Sequence, residues 1–316
     1  MKKWVQVMKG LELCENYFIK HGLPMINRKF AGFKDRIAAG LVGDGSECYG
    51  FDDEISRDHD WGPSFCLWLT KDDFEQIGQQ LQKEYDNLPD EFEGFSRIVS
   101  EFGEGRVGVF EIGEFYKKFI GISHLPEKLN EWFPLPESYL AACTNGKVFY
   151  DPLGEFTYFR NKLLEFYPED IRLKKMAARC MAIAQNGQYN YMRCAKRHEY
   201  VAARYAESKF YSDVISLVFL INKRYMPYFK WMQRAVRDLP VLGENIYQTI
   251  FKAVTTSDSA KKYRLMEDIC KIVIEELRKE NLSDSKSESL LDHGPAIQSG
   301  IKDPRLKNVS VWLGGP

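Results

Sequence analysis

One short segment between two apolar runs constrains the fold of this chain more than any other feature. Residues 43–61 read GDGSECYGFDDEISRDHDW and contain seven acidic side chains, three glycines and one arginine. The flanking runs, 37–42 (IAAGLV) and 65–69 (FCLWL), have the length and composition of buried strands. Unpaired carboxylates are costly to bury. The segment is therefore predicted to be an acidic loop that joins two neighbouring strands.

Two aspartates near the end of this loop suggest a cation site. Asp58 and Asp60 are separated by one residue, so in an extended strand both carboxylates point to one side and His59 to the other. Adjacent carboxylates repel each other, and a divalent cation between them removes that repulsion. Upstream, Gly45-Ser46 is predicted to form a turn that offers amides and a hydroxyl to phosphate oxygens. The alternative is an ordinary solvated acidic turn.

The remaining periodicity predicts an α+β chain. Strands are also expected at 107–112 and 147–150, and a capping box at Thr70–Asp73 starts a helix that runs to about residue 85. A first helix is expected over 5–21, ending at the Gly22-Leu23-Pro24 stop signal. After residue 150 the pattern is helical. The expected helices are 168–187, 190–208, 211–238, 242–255 and 259–280.

This change of pattern predicts two domains and a tail. Residues 1–150 mix strands and helices, residues 151–282 form an all-α helical bundle, and residues 283–316, rich in Ser and Gly, form a loosely attached polar tail. Trp312 and Leu313 could dock that tail.

Charge and cysteine usage restrict the partners. The chain has 44 basic and 45 acidic side chains, so no overall field attracts a long nucleic acid or a membrane. Its seven cysteines are scattered and never form a CxxC pair, which is typical of reduced thiols and excludes a zinc motif. No apolar run is long enough to span a bilayer, and no signal peptide is evident. A cytoplasmic location is expected.

The loop also carries a family resemblance. Gly45-Ser46 followed by Asp58-His59-Asp60 resembles the signature of the polymerase-beta-like nucleotidyltransferases, which include poly(A) and CCA-adding polymerases and enzymes that adenylylate aminoglycosides and lincosamides. The run GLVGDGSECYGFDDEISRDHDWGPSFCLWL, with KVFYDPLGEFTYFR and INKRYMPYFKW downstream, resembles an uncharacterised bacterial family of unknown function placed in that superfamily. The resemblance covers roughly residues 30–240.

The resemblance implies a fold, a reaction and two ligands. It implies a small mixed nucleotidyltransferase sheet flanked by helices, with Gly45 and Ser46 holding the phosphates of a nucleoside triphosphate. Two Mg²⁺ ions would be bridged by Asp58 and Asp60. The implied reaction moves a nucleoside monophosphate, with AMP from ATP as the expected case, to a hydroxyl of an unidentified small molecule or protein and releases pyrophosphate. The alternative is an inactive nucleotide-binding or scaffold protein of the same fold.

Arg57 is a departure from the resemblance, because many members have Ser and Asp adjacent where this chain has Ser56-Arg57-Asp58. Arg57 could neutralise phosphate charge, or it could pair with Asp53 or Glu54.

The third carboxylate of such a site normally comes from a neighbouring strand. Alternation along the strand places Glu111 on the same face as Val107 and Val109, where an unpaired carboxylate would be costly to bury. Glu111 is therefore predicted as the third catalytic and metal-binding acid, and Glu114 is the next candidate. The alternative for Glu111 is a strand-end residue that already turns toward solvent.

The helical half contributes the weakest site predictions. Lys230, Arg204 and Asn222 are expected to line a nucleotide or acceptor pocket, with Lys230 contacting phosphate, although the aromatic residues around Lys230 are better explained by packing. Arg193 and His198 have the Arg-x4-His spacing of a helical ribonuclease family, but a polar helix meets that spacing by chance.

Overall fold

The computed structural model describes residues 8–98 and 100–315, without the side chain of residue 102. Residues 5–7 of the predicted first helix lie outside the described residues. The strands are β1 (Ala38–Leu41), β2 (Cys66–Leu69), β3 (Glu91–Phe92), β4 (Phe95–Ser96), β5 (Gly108–Glu111) and β6 (Lys147–Tyr150). The helices are α1 (Gly10–Tyr17), α2 (Leu23–Lys29), α3 (Lys71–Asp86), α4 (Ile112–Ile120), α5 (Leu129–Trp132), α6 (Glu137–Thr144), α7 (Glu155–Leu164), α8 (Glu169–Ile183), α9 (Met192–Lys196), α10 (Tyr200–Ile221), α11 (Phe229–Val236), α12 (Gly243–Thr255), α13 (Ser259–Lys279), α14 (Leu290–Ser299) and α15 (Pro304–Lys307).

The α+β expectation is confirmed at this level, with a small mixed sheet and a mostly helical C-terminal part. The sheet has the strand order β5-β2-β1-β6, in which β1 is antiparallel to β2 and β6, and β2 is parallel to β5. The four predicted strands are these four. The predicted helix start at Thr70 is confirmed, because the Thr70 hydroxyl accepts a hydrogen bond from the amide of Asp73 at the start of α3. The capping box is incomplete, because the Asp73 carboxylate accepts from the Thr70 hydroxyl and not from the Thr70 amide.

Strand direction decides what lies at each edge of the sheet. Because β1 and β2 are antiparallel neighbours, the end of β1 and the start of β2 lie at the same edge, and Gly40 pairs with Cys66. The start of β5 lies there too, since Gly108 pairs with Cys66. We call this the loop edge. Glu111 pairs with Leu69 at the other edge, three residues or roughly 10 Å farther along β5.

Both faces of the central strands are buried, which explains their unbroken apolar sequences. On one face, Leu67 and Phe65 pack in a cluster with Tyr17 and Leu81. On the other, Trp68 stacks on Phe156 of α7 with ring centroids 3.7 Å apart. β6 approaches β1 so closely that a Cβ at Gly40 would lie 2.5 Å from the carbonyl oxygen of Lys147. This contact requires glycine in the middle of β1.

Helix boundaries differ from the sequence prediction where a terminator or a break was assigned. The chain remains helical through Gly22 as a π-helical turn, Phe18–Gly22, and Pro24 lies in the first turn of α2 directly after it. Farther on, α10 is continuous through residues 208–211, and the break falls at 222–228 instead. Among the described residues, no helix is both long and apolar enough to cross a membrane.

The chain divides into two compact units, and their bounds differ from the predicted boundary at residue 150. One unit contains the described residues through Leu125 together with Ala142–Glu165, and the other contains Pro126–Ala141 and the described residues from Phe166 onward. Residues 151–165 belong to the sheet unit because α7 packs its aromatic side chains on the sheet. Residues 126–141 belong to the helical unit, where Tyr167 donates a hydrogen bond to the carbonyl of Leu135.

The predicted loose tail is wrong, because residues 283–315 pack into the helical unit. Helix α14 lies against α8 and buries Leu290, His293 and Ile297. The buried Lys174 ammonium donates to the Gln298 amide oxygen at 2.6 Å and to the carbonyls of residues 309 and 310 at 2.9 and 2.7 Å. Trp312 and Leu313, the residues expected to dock the tail, are about half exposed.

A pair of α14 variants tests this packing. Ile297→Ala removes a side chain that is 1% exposed, so we expect the free energy of unfolding to fall by about 2–5 kcal/mol in urea denaturation. Leu291→Ala, on the exposed side of the same helix, should change it by less than about 0.5 kcal/mol. Equal, small effects from both variants would show that α14 does not contribute to the core.

Candidate functional site

The acidic loop contains two 3₁₀ turns and no strand. The turns are Glu47–Tyr49 and Ile55–Arg57. Asp58 follows with helical backbone angles, φ −76° and ψ −28°, and Asp60 is left-handed with φ 49°. The prediction that both aspartates lie on an extended strand is therefore wrong. Gly62, with φ 128°, and Pro63 prevent a regular strand at this point, so β2 begins only at Cys66.

Arg106, just before β5, connects the two ends of the loop. Its Nε donates to the carbonyl of Asp44 at 2.6 Å, one terminal nitrogen donates to the carbonyl of Asp60, and the other pairs with the Glu47 carboxylate. Its side chain is 11% exposed. Burial acts to lower the pKa of Arg106, but the opposing effects of neighbouring groups, the Glu47 carboxylate foremost, together raise it. The guanidinium thus stays charged and links both ends of the acidic loop at the loop edge.

Gly45 lets this arginine approach. The backbone of Gly45 has φ 122°, and a Cβ there would lie 2.4 Å from a terminal nitrogen of Arg106. Sequence reasoning missed both Arg106 and Glu47. The available signals were an arginine directly before a strand and an acid directly after the Gly-Ser turn, and neither is distinctive without the fold.

Two of the seven acids in the loop are buried and bound by protein groups. Glu47 and Asp52 are 3% and 2% exposed. Glu47 pairs with Arg106, and Asp52 accepts hydrogen bonds from the amide of Gly10 at 2.8 Å and the indole of Trp61 at 3.3 Å. These two acids therefore attach the loop to β5 and α1.

Asp58 and Asp60 lie in different environments. The Asp60 carboxylate accepts hydrogen bonds from the amide and the hydroxyl of Ser100, both at 2.7 Å. Partial burial acts to raise the pKa of Asp60, but the two Ser100 donors, together with the nearby charges of His59 and Arg106, lower it overall. The Asp58 side chain is 64% exposed, and its carboxylate lies 2.6 Å from Nδ1 of His59. Of the two acids, Asp58 is the one that a ligand in solvent reaches freely.

The Gly-Ser turn has the features of an anion site. Gly43 is held by Asn145, whose side chain accepts from its amide at 3.0 Å and donates to its carbonyl at 2.8 Å. The Ser46 carbonyl accepts from two later amides of the 3₁₀ turn. Within the described ranges, neither the amide of Gly45 nor the hydroxyl of Ser46 is hydrogen-bonded to protein. Backbone donors at such a turn are suited to phosphate oxygens.

Arg57 takes part in packing within the loop. Its guanidinium lies over the rings of Trp61 and Phe95, 4.8 and 5.1 Å from their centroids. One terminal nitrogen donates to the carbonyl of Met8 at 3.1 Å. These contacts account for its position without a phosphate.

A cavity of about 20 Å³ adjoins Asp60 and Arg106 and is also lined by Trp61, Ser64 and Arg97. That volume holds about one water molecule. The cavity is therefore too small for a nucleotide.

Glu111 caps a helix at the edge of the sheet opposite the loop. Its carboxylate accepts hydrogen bonds from the amides of Gly113 and Glu114, at 2.8 and 2.6 Å, at the N-terminus of α4. Glu114 is exposed and pairs with Lys117 at 3.0 Å. The structure therefore does not bring Glu111 or Glu114 together with Asp60. The strand-end alternative describes Glu111 better than the third-acid prediction.

The predicted pair of magnesium ions would need free carboxylate oxygens at the loop. Aspartate oxygens are the ligands that Mg²⁺ prefers. However, Ser100 already hydrogen-bonds both oxygens of Asp60, and Glu111 lies at the far edge. No group of three or more His, Cys, Asp or Glu side chains in residues 8–98 and 100–315 is arranged to hold a metal. In this arrangement the residues do not fit a two-ion site.

The three predicted pocket residues all belong to the helical unit. Arg204 is 68% exposed and pairs with Glu207 at 2.9 Å. The Asn222 amide hydrogen-bonds the backbone of Val218 and Val241, which fixes the end of α10 against the segment before α12. Lys230 is exposed, with its ammonium 5.2 Å from the ring centroid of Trp231. Asn222 therefore has a structural role that sequence reasoning did not foresee.

Part of the chain matches a known protein family. Residues 132–232 match the family described as Domain of unknown function (DUF4037). Neither the curated proteins nor the solved structures gave a match. The matched range includes KVFYDPLGEFTYFR and INKRYMPYFKW but not the acidic loop. The match is compatible with the resemblance and assigns no activity.

The helix cap gives a prediction for Glu111. Glu111→Gln keeps an acceptor oxygen but removes the charge at the N-terminus of α4, so we expect a loss of about 1 kcal/mol in urea denaturation. Glu114→Gln, at an exposed position of the same turn, is the control and should cost only a few tenths. Nucleotide and magnesium titrations should be unchanged in both variants. Loss of metal-dependent nucleotide binding in Glu111→Gln alone, at unchanged stability, would restore the third-acid assignment.

The contact between Asp60 and Ser100 gives a prediction that depends on pH. Ser100→Ala removes one of the two donors, so the pKa of Asp60 should rise, as measured by carboxyl ¹³C NMR titration. Because the folded pKa of Asp60 is lowered, its stabilising contribution is present above the unfolded value and disappears as the pH falls through the folded value. The destabilisation by Ser100→Ala at pH 7 should therefore shrink in acid. Ser96→Ala, whose hydroxyl contacts Glu91 instead, should leave the Asp60 titration unchanged.

Proposed function

We propose that this protein is a nucleotidyltransferase that moves a nucleoside monophosphate, with AMP from ATP as the expected case, to a hydroxyl of a small molecule or protein. The observation that carries the proposal is the meeting of the Gly-Ser turn and the Asp58–Asp60 segment at one edge of a mixed sheet. Arg106 joins them through the carbonyls of Asp44 and Asp60. These are the two motifs on which the resemblance rests.

The roles proposed for individual residues follow from their exposure. The amide of Gly45 and the hydroxyl of Ser46 supply donors to the phosphates. Asp58 is the exposed acid and accepts the proton of the acceptor hydroxyl, while His59 holds its carboxylate. Arg106 and Glu47 position the turn and do not touch substrate. Because Ser100 hydrogen-bonds both carboxylate oxygens of Asp60, no step of the proposed transfer is assigned to a metal ion. The dependence of the transfer rate on Mg²⁺ is measured separately.

A second candidate is a nucleotide-binding protein without turnover. The observation in its favour is that the protein itself uses the carboxylates of Asp60 and Glu111, in a turn and in a helix cap. Both candidates require nucleotide at the Gly-Ser turn. They differ in whether the α-phosphate is transferred.

Calorimetric titration with ATP, with and without Mg²⁺, tests the shared step. Ser46→Ala removes a phosphate donor and should weaken ATP binding about three- to tenfold. Ser56→Ala is the control, because its hydroxyl contacts Asp53 within the loop and should leave binding unchanged. If neither ATP nor another nucleoside triphosphate binds the wild type, both candidates fail.

Incubation with α-labelled nucleotides and a cell extract separates the two candidates. Label transferred to an acceptor supports the transferase, and Asp58→Asn should then lower the rate at least a hundredfold while nucleotide affinity changes little. Glu54→Gln, at an exposed acid of the same loop, is the control and should keep the rate. Binding without any transferred label would favour the second candidate.

A further inference from the structure

A surface of the helical unit combines cations with exposed aromatic rings. We call it the α9–α10 face and define it as the exposed side chains between residues 189 and 209. Helix α9 packs against α10, and Nδ1 of His198 lies 2.9 Å from the Tyr200 hydroxyl at their junction. The principal members of the face are Tyr189, Arg193, Arg197, Tyr200, Arg204 and Tyr205.

This face is locally basic although the whole chain is not. Its exposed side chains include five lysines and arginines but only one carboxylate, that of Glu199. The other acid of the range, Glu207, is 6% exposed and pairs with the buried Lys262 at 2.6 Å. Arg204 also contacts Glu207, whereas the remaining four cations form no ion pair within the described part of the chain. The positive charge is therefore available to an outside partner.

The aromatic residues of this face are unusually exposed. Tyr189, Tyr200 and Tyr205 are 58%, 64% and 68% exposed, and Val201 beside them is 87% exposed. The guanidinium of Arg193 lies 4.6 Å from the ring centroid of Tyr189. A cation next to an exposed tyrosine ring can contact the phosphate of a nucleotide while the ring stacks on the base of the same nucleotide.

Helix geometry aligns these groups. Val201, Tyr205 and Lys209 are spaced by four residues and lie on one side of α10, over about 12 Å of helix. That length corresponds to roughly three or four stacked nucleotides. Arg193 and Lys196 are spaced by three residues on one side of α9, and Arg197 follows directly at the end of that helix.

We propose that the α9–α10 face binds single-stranded nucleic acid, with its cations contacting phosphates and its tyrosines stacking on bases. This proposal is independent of the transferase proposal. It differs from the expectation that a long nucleic acid is an unlikely partner, because overall charge balance says nothing about a local cluster. It also gives Arg204 a role outside the predicted nucleotide pocket. A membrane is less suitable as a partner, because the apolar groups are mainly tyrosines and only Val201 is aliphatic.

Fluorescence anisotropy with labelled oligouridine and oligothymidine of about twelve nucleotides measures the interaction. Both should bind the wild type, and the affinity should fall as salt rises from about 50 to 200 mM, with a slope of about 0.7 per phosphate contact. Poly-glutamate of similar length lacks bases and should bind at least tenfold more weakly. Equal binding of poly-glutamate, binding only to anionic vesicles, or no binding of either oligonucleotide would overturn the proposal.

Matched variants locate the interaction. Lys196→Ala/Arg197→Ala should lower the salt slope by about 1.4, whereas Lys252→Ala/Lys302→Ala removes two exposed cations elsewhere and should not change it. Tyr205→Ala should weaken binding about tenfold, and Tyr158→Ala, a 57% exposed tyrosine of α7, should have no effect.

All four variants change exposed residues, so circular dichroism should show unchanged folding. Equal losses in test and control variants would overturn the assignment of this face.

Discussion

The buried ion pair between Arg106 and Glu47 is the interaction on which the loop edge depends. The guanidinium of Arg106, just before β5, hydrogen-bonds the carbonyl of Asp44 after β1, the carbonyl of Asp60 before β2 and the Glu47 carboxylate. It thereby joins three segments of the chain. Removing either partner would leave the other charge buried and unpaired, which typically costs about 3–5 kcal/mol. Gly45 is part of the same arrangement, since any side chain there would displace the arginine. The phosphate-binding capacity proposed for the turn thus rests on a group that does not itself contact phosphate.

The density of acids in the loop first suggested metal ions, and the structure gives several of them other partners. Glu47 has an arginine, Asp52 has an amide and an indole, and Asp60 has both donors of Ser100. Only the exposed acids, including Asp58, remain available to ligands in solvent. Acidic composition by itself therefore does not distinguish a metal centre from a loop held by its own hydrogen bonds. The same principle applies in reverse to the α9–α10 face, where a neutral overall composition hides a local excess of cations.

Much of the fold could be predicted because it is encoded locally. The four sheet strands follow from short apolar runs, and the start of α3 follows from Thr70 and Asp73. The failures concern long-range contacts. Residues 283–315 read as polar and loose, yet Leu290 and Ile297 are buried against α8 and Lys174 binds carbonyls of the last turns. Packing of α7 extends the sheet unit to Glu165, and residues 126–141 pack in the helical unit; a local sequence pattern contains neither contact.

For the candidate site, the sequence by itself determined which residues could carry chemistry: the Gly45-Ser46 turn and the spacing of Asp58 and Asp60 are properties of the chain. Tertiary structure decided which of them meet. The parallel pairing of β2 and β5 placed Glu111 at the far edge as a helix cap, although alternation along the strand had favoured it as a ligand. Strand alternation specifies the face of a sheet, whereas position along the paired strand specifies the edge. The edge depends on register between segments some forty residues apart, and only the folded chain fixes that register.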